Sequence, residues 1–225
     1  MKKSITKAWL GLIFLAVVMG ILLFVPAGTV YYSQAWTYLG VFFGGSCVVT
    51  LYLMKKDPAL LNRRLGAGPM AEKEKTQKVI QLFTSIGFIA LLIVPALDHR
   101  FFWSNVLPYI TIAGDMLTAL GFAIILLVFK ENTFASATIE LFEEQKVIST
   151  GMYAFVRHPM YAGALLLFIG TPLALGSYWG LLASLAELSA LTWRLLDEER
   201  FLAKHLVEYS NYCAKVRWRL IPGVF

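Results

Sequence analysis

In the stretch GMYAFVRHPMYAGALLLFIG, residues 151–170, an arginine, a histidine and a proline stand directly before an apolar run. Pro159 suits the first position of a helix, because its missing N–H would be unpaired there and its φ is preset. Such a helix turns its free N–H groups and the positive end of its dipole outward, which favours an anion. His158 and Tyr161, three residues apart, can reach one ligand from one side. Gly163 lets another backbone or a flat ring approach closely. Farther along, RLLDEERFL places Arg194 and Glu198 on one helix face, with Glu199 rotated away by about 100°. Taken separately, Arg157-His158 reads as an interfacial anchor and Arg194 with Glu198 as an exposed ion pair worth a few tenths of a kcal/mol. Taken together, an imidazole, a phenol, a guanidinium and a carboxylate form a set that can hold a charged ligand and align an acceptor, provided the chain brings them to one place.

The elements that must do so are membrane helices. The chain has 225 residues, 58% hydrophobic and 15% charged, against roughly 45–50% and about 25% in an ordinary soluble domain. Four apolar stretches reach the roughly 20 residues that a span needs: Ala8 to Val25, Ala35 to Met54, Val79 to Leu97 and Val106 to Phe129. A longer apolar region, Tyr161 to Leu196, is interrupted by Gly170, Pro172 and Gly176 and predicts a helical hairpin. The expected fold is thus an all-α integral membrane protein with four transmembrane helices and a carboxy-terminal hairpin, about six membrane helices. Residues 1–130 and 131–225 are expected to form one continuous domain. The amino terminus has the basic start of a signal peptide, but its apolar run is longer than a signal core and further spans follow, so it reads as a retained helix.

With the amino terminus inside, Arg100 alone among the 20 Lys and Arg residues falls in an outer segment. Basic residues are retained on the cytoplasmic side of short loops, so both termini and the paired motifs are expected to be cytoplasmic, in a bacterial inner membrane. The net charge of +6 then faces anionic headgroups, and nucleic acid need not be invoked. Cys47 in a span and Cys213 in the tail suggest no disulfide framework. His99, His158 and His205 lack companions at metal-ligand spacing.

The loop KKDPALLNRRLGAGPMAEKEKTQK reads as a solvated connection whose DPALLNRRL part can lie on the membrane as an amphipathic helix. The segment from Lys130 to Tyr161, with Glu140, Glu143 and Glu144, can fold back over the membrane face as a lid or wall. Phe201, Leu202, Leu206, Tyr209, Tyr212 and Val216 recur at helical spacing and predict a cytoplasmic helix packed on the site. Asp115 and Glu187 lie inside apolar runs. Such carboxylates are costly, and structural roles are expected for both, through a polar contact between helices or proximity to the outer interface.

QKVISTGMYAFVRHPMYAG followed by RLLDEERFL and YSNYCAKVRWRLIPG resembles the isoprenylcysteine carboxyl methyltransferase family and related membrane phospholipid methyltransferases, over roughly Glu131 to Gly223. The resemblance adds to the expected fold a cytoplasmic cofactor-binding region, and it implies S-adenosylmethionine at the cytoplasmic face and methylation of a lipid-linked carboxylate in the bilayer. It implies cofactor contacts at Gln145, Lys146, Val147, Ile148, Tyr153, His158, Pro159, Met160, Tyr161 and Glu198, and a substrate-contacting role for Arg194. An ionised carboxylate needs no strong base, so alignment is the main work, and the planar guanidinium of Arg194 suits a two-point contact with it. Three alternatives stay open: methylation of a lipid amine, which would need a base such as His158; a membrane sterol-type reductase using a nicotinamide cofactor; and a non-catalytic scaffold.

Overall fold

In the computed structural model, residues 2–66, 72, 74–138 and 146–225 are described. Four long helices, α1 (Lys2–Ala27), α2 (Ser33–Lys56), α4 (Lys75–Phe101) and α5 (Pro108–Glu131), are each long and apolar enough to cross a bilayer. Their outward faces carry large apolar side chains such as Leu10, Phe14, Ile112 and Met116, a surface suited to lipid rather than water. These are the four spans expected from the sequence. The hairpin follows as α6 (Pro159–Ala174) and α7 (Gly180–His205), and α8 (Val207–Lys215) comes after it.

Small residues decide how the hairpin seats. A Cβ on Gly121 would lie 2.8 Å from the Gly163 carbonyl oxygen, and one on Gly170 would lie 2.8 Å from that of Gly114. Two glycines on α5 and two on α6, each pair seven residues apart, therefore let the antiparallel backbones touch, as in membrane helix pairs generally. The close approach expected at Gly163 is made by the α5 backbone. Its consequence is positional, because the start of α6 is fixed beside the end of α5. The hairpin turns at Gly176, whose φ of +73° favours glycine.

At that far end, Asp98 of α4 accepts from the Ser104 N–H and hydroxyl, both at 2.6 Å, and from the Ser177 hydroxyl at 2.5 Å. Tyr32 donates to the Leu175 carbonyl at 2.5 Å. Met19, Leu23, Tyr38, Leu92 and Ala96 close the core around them.

The other end of the bundle gathers the starts of α1, α4 and α6 and the ends of α2, α5 and α7, and most of the basic residues with them. Asp57 closes α2 and caps the short α3 (Pro58–Leu65), accepting from the Leu60 N–H at 2.9 Å. Its second oxygen accepts from Thr133 at 2.5 Å. Leu60 and Leu61 are buried against Ala8, Leu53, Val128 and Phe129. The expectation of a solvated connection therefore fails for its described part: α3 is a packed wall, because its two leucines fill the gap between α2 and the end of α5.

For the intramembrane carboxylates, of the two structural roles expected, the polar contact between helices is not made by Glu187 among the described residues. Neither Glu187 oxygen has a hydrogen-bond partner among the described residues, nor has Oδ1 of Asp115. Glu187 instead rests against Gly87, where a Cβ would clash with its Oε1. The absent side chain makes room for the carboxyl without offering it a donor.

Candidate functional site

At the basic end a cavity of about 340 Å³ opens between α3, the segment after α5, the start of α6 and the end of α7. That is within the roughly 300–1,000 Å³ of small-molecule sites. Lys146, Val147, Ile148, Tyr153, His158, Met160, Tyr161, Arg194 and Glu198 all line it. Pro159 does not; it is buried as the first residue of α6, where it sets the helix start. Gln145, with Glu140, Glu143 and Glu144, lies outside the described residues. Of the segment expected to form a lid or wall, residues 134–138 line the cavity.

Tyr161 is the junction of the two motifs. Its hydroxyl donates to Glu198 Oε2 at 2.5 Å and accepts from Arg194 Nε at 3.2 Å. The direct Arg194–Glu198 pair suggested by spacing is not among the ion pairs of the described residues, because this hydroxyl stands between them and Arg194 has a different carboxylate. Its Nη2 meets Glu72 at 2.8 Å and the Ala137 carbonyl at 3.0 Å, while Nη1 donates to Gln77 at 3.0 Å. The Gln77 amide in turn donates to Asp197. Four bonds to described residues, on a group with five N–H donors, leave one Nη1 hydrogen without a partner among them. The expected two-point contact with an acceptor is therefore not available to Arg194 in this arrangement.

His158 turns to the neighbouring carboxylate. Its Nε2 lies 3.4 Å from Glu199, its ring stacks on Tyr161 with centroids 5.6 Å apart, and it caps α6 without a side-chain hydrogen bond. Glu199, which helical spacing sets apart from the Arg194 face, also receives Arg157 at 2.8 Å and Arg219 at 2.9 Å. Burial alone would raise the Glu199 pKa, but hydrogen bonds from His158 and Arg219 and the charges of His158 and Arg157 outweigh it and hold the carboxyl at about 2. Arg157 also donates to the Val216 and Arg217 carbonyls, and the backbone N–H groups of Arg157 and His158 donate to Trp218 and Arg219. Glu199 and Arg157 thus clamp the carboxy-terminal tail onto the α6 start.

Aromatic residues supply the remaining wall. Tyr209, Tyr212 and Val216 pack with Val147, Leu202 and Leu206, as their helical spacing suggested, although the helix breaks at Leu206 between α7 and α8. Phe201 stands apart from this cluster and packs on His205 instead. Tyr212 donates to the Tyr153 carbonyl at 2.8 Å, and Asn132 donates to the Tyr153 hydroxyl at 2.8 Å. Burial pushes the Tyr153 phenol up to about 12, with the Asn132 bond opposing and the charges of Glu198 and Glu131 adding. Among the described residues the buried Tyr209 hydroxyl has no partner beyond the weakly accepting Cys213 thiol beside it.

Sequence reasoning missed Arg64, Glu72, Gln77, Asn132 and Glu199. Arg64 and Asn132 line the cavity, Glu72 and Gln77 hold Arg194, and Glu199 holds the cations behind it. None carries a local signal: each acquires its role from a residue more than 20 positions away.

Residues 109–208 match the model of the phospholipid methyltransferase family. The matched stretch runs from the start of α5 into α8 and contains both motifs. In this part the chain is similar to membrane phospholipid methyltransferases, a class whose methyl donor is in general S-adenosylmethionine. The match does not single out isoprenylcysteine. No curated protein matches the chain.

Proposed function

We propose that this integral-membrane methyltransferase transfers the methyl group of S-adenosylmethionine to a lipophilic carboxylate presented from the bilayer, at a cavity on the cytoplasmic side. The observation that carries the carboxylate reading is the charge of the wall. Among the described lining residues Arg64, Lys146, Arg157 and Arg194 are cationic, and Glu198 is the sole carboxylate. Such a wall suits two ionised carboxyl groups, one on the donor and one on the acceptor.

The residues present fit the donor. Glu198 has one oxygen engaged by Tyr161 and can take ribose hydroxyls or an ammonium with the other, a charge-assisted bond. Tyr153, Tyr212 and Phe134 offer faces for an adenine ring, and the Tyr209 hydroxyl lacks a strong partner. When bound, S-adenosylmethionine supplies a methyl on a sulfonium, electrophilic enough for direct displacement by an ionised carboxylate. The protein's part is then to position groups and exclude water, with no general base required. Arg194, held by Glu72 and Gln77, directs its remaining Nη1 hydrogen to one acceptor oxygen, which leaves the other oxygen free to attack.

A second reading, methylation of a lipid amine, is favoured by the family match itself. It needs a base, and the imidazole nearest the cavity is already engaged with Glu199. One assay separates the two. Purified protein is given methyl-labelled S-adenosylmethionine with an S-prenylated N-acyl cysteine, or with a phosphatidylethanolamine vesicle. Label released as methanol by mild base marks an ester, and base-stable label in the lipid marks an amine. With the acid as acceptor, Arg194→Lys should keep donor affinity near normal and lower transfer at least ~10-fold, the equivalent of about 1.4 kcal/mol of alignment. Full activity in that variant would remove Arg194 from the acceptor side.

A further inference from the structure

Arginines at this end of the molecule differ in what neutralises them. Arg157 and Arg219 share Glu199, and Arg194 has Glu72. Arg64 lines the same cavity without a carboxylate partner among the described residues. Its Nη1 donates to the Ser136 carbonyl at 3.0 Å, with the Ala135 carbonyl at 3.5 Å and the Met160 sulfur at 3.7 Å, and its guanidinium lies 5.1 Å from the centre of the Phe129 ring. Nε and Nη2 have no hydrogen-bond partner among the described residues. An arginine in a partly buried wall pays desolvation for its charge, and the usual compensation is a hydrogen-bonded anion.

The position is built. Pro58 and the Asp57 cap start α3, the buried Leu60 and Leu61 fix its face, and Arg63 ties its last turn to the Thr133 carbonyl at 2.6 Å. Arg64 is thereby directed across the cavity towards the segment after α5 and towards Met160. Burial lowers its pKa to about 10, with Tyr161 opposing and Arg194 adding to the fall. Two guanidinium groups therefore border one space, that of Arg194 mostly engaged from within and that of Arg64 with an edge unfilled among the described residues.

We propose that Arg64 is a carboxylate-receiving residue of this cavity, its Nε and Nη2 edge forming the two-point contact with an ionised carboxyl group that Arg194 cannot offer. This rests on the reading of the cavity as a methyl-transfer site. It adds a residue outside the stretch matched by the family model, on the short helix of a segment that otherwise reads as a connection. The carboxylate has two possible sources, the amino-acid end of the donor and the acceptor itself, and both present the same planar group.

The test uses the full chain in detergent or nanodiscs and two ligand pairs that differ by a carboxylate. S-Adenosylhomocysteine is compared with 5′-methylthioadenosine, and an S-prenylated N-acyl cysteine with its methyl ester. Affinities are measured calorimetrically for wild type, Arg64→Gln and Arg64→Lys, with unfolding midpoints as the folding control. Wild type should prefer the carboxylate-bearing member of each pair. Arg64→Gln should lose that preference at least 10-fold in one pair, with the first pair identifying the donor carboxylate and the second the acceptor. Arg64→Lys, which keeps the charge without the fork, should fall between and serves as the readout if the glutamine variant does not fold. Retention of both preferences in the variants, or a wild type indifferent to the carboxylate in both pairs, overturns the proposal. A wild type that binds none of the four ligands overturns the methyl-transfer reading, and the proposal with it.

Discussion

The two ends of the helical bundle use polar residues in opposite ways. At the far end, the carboxylate of Asp98 and the hydroxyls of Tyr32, Ser104 and Ser177 bond to one another or to backbone within a closed core. At the basic end, polar groups surround a space and, among the described residues, several stay partly unfilled: one Arg194 hydrogen, the Arg64 edge, one Glu198 oxygen and the Tyr209 hydroxyl. A network satisfied from within adds stability and offers nothing to a ligand. One left open stores capacity for binding, supported by groups such as Glu199 that are saturated behind it.

The sharpest way to break this contrast is to remove the saturated support at the open end. Glu199→Ala leaves Arg157, His158 and Arg219 without their common carboxylate in a largely buried setting, and loss of one partner of such a group costs roughly 3–5 kcal/mol. Denaturant unfolding in micelles should show a drop of that order, with the tail released from the α6 start. A loss below ~1 kcal/mol would mean that the clamp is a surface feature only.

Acid should act on the same residue. The Glu199 pKa is about 2 in the folded protein against an ordinary 4.5, so between those values the unfolded state binds more protons and stability rises with pH. The Glu199 contribution, on the order of 3 kcal/mol, is fully present above about pH 4.5 and lost as pH falls towards about 2. Glu199→Gln should flatten this part of the stability profile. An unchanged acid limb in that variant would show that other carboxylates set it.

Asp98→Ala tests the closed end. It removes an acceptor shared by Ser104 and Ser177 and should cost about 1–3 kcal/mol of stability. S-Adenosylhomocysteine affinity of the remaining folded protein should not change, since the residue belongs to the end away from the cavity. A fall in S-adenosylhomocysteine affinity comparable to that expected on removing the Glu198 carboxylate would mean that the ends are coupled through α4 and α7, and the contrast between them would fall.

Much of the architecture was legible in the chain because membrane helices announce themselves by length and hydropathy. The four spans, the hairpin broken near Gly176 and the short helix in DPALLNRRL all follow from local composition. Tyr161 with Glu198 was legible for a related reason, since both motifs lie at the open ends of one hairpin. The partner of Arg194 was not. Helical spacing offered Glu198, four residues away, whereas the structure supplies Glu72 from just before the start of α4, a choice that no periodicity records.

The sequence by itself determined that this chain crosses a membrane, that its charged motifs meet at the basic ends of α6 and α7, and which residue types they bring. These are consequences of hydrophobic length and of connectivity, both local properties. Tertiary structure alone decided which guanidinium is neutralised and which is left open, because that depends on the seating of α3 and α4 against α5 and α7. Glycine contacts at Gly121, Gly163 and Gly170 set the approach of α6 to α5 to within a side chain's width. Charge pairing over a few ångströms follows from that packing, and the one-dimensional order of residues does not contain it.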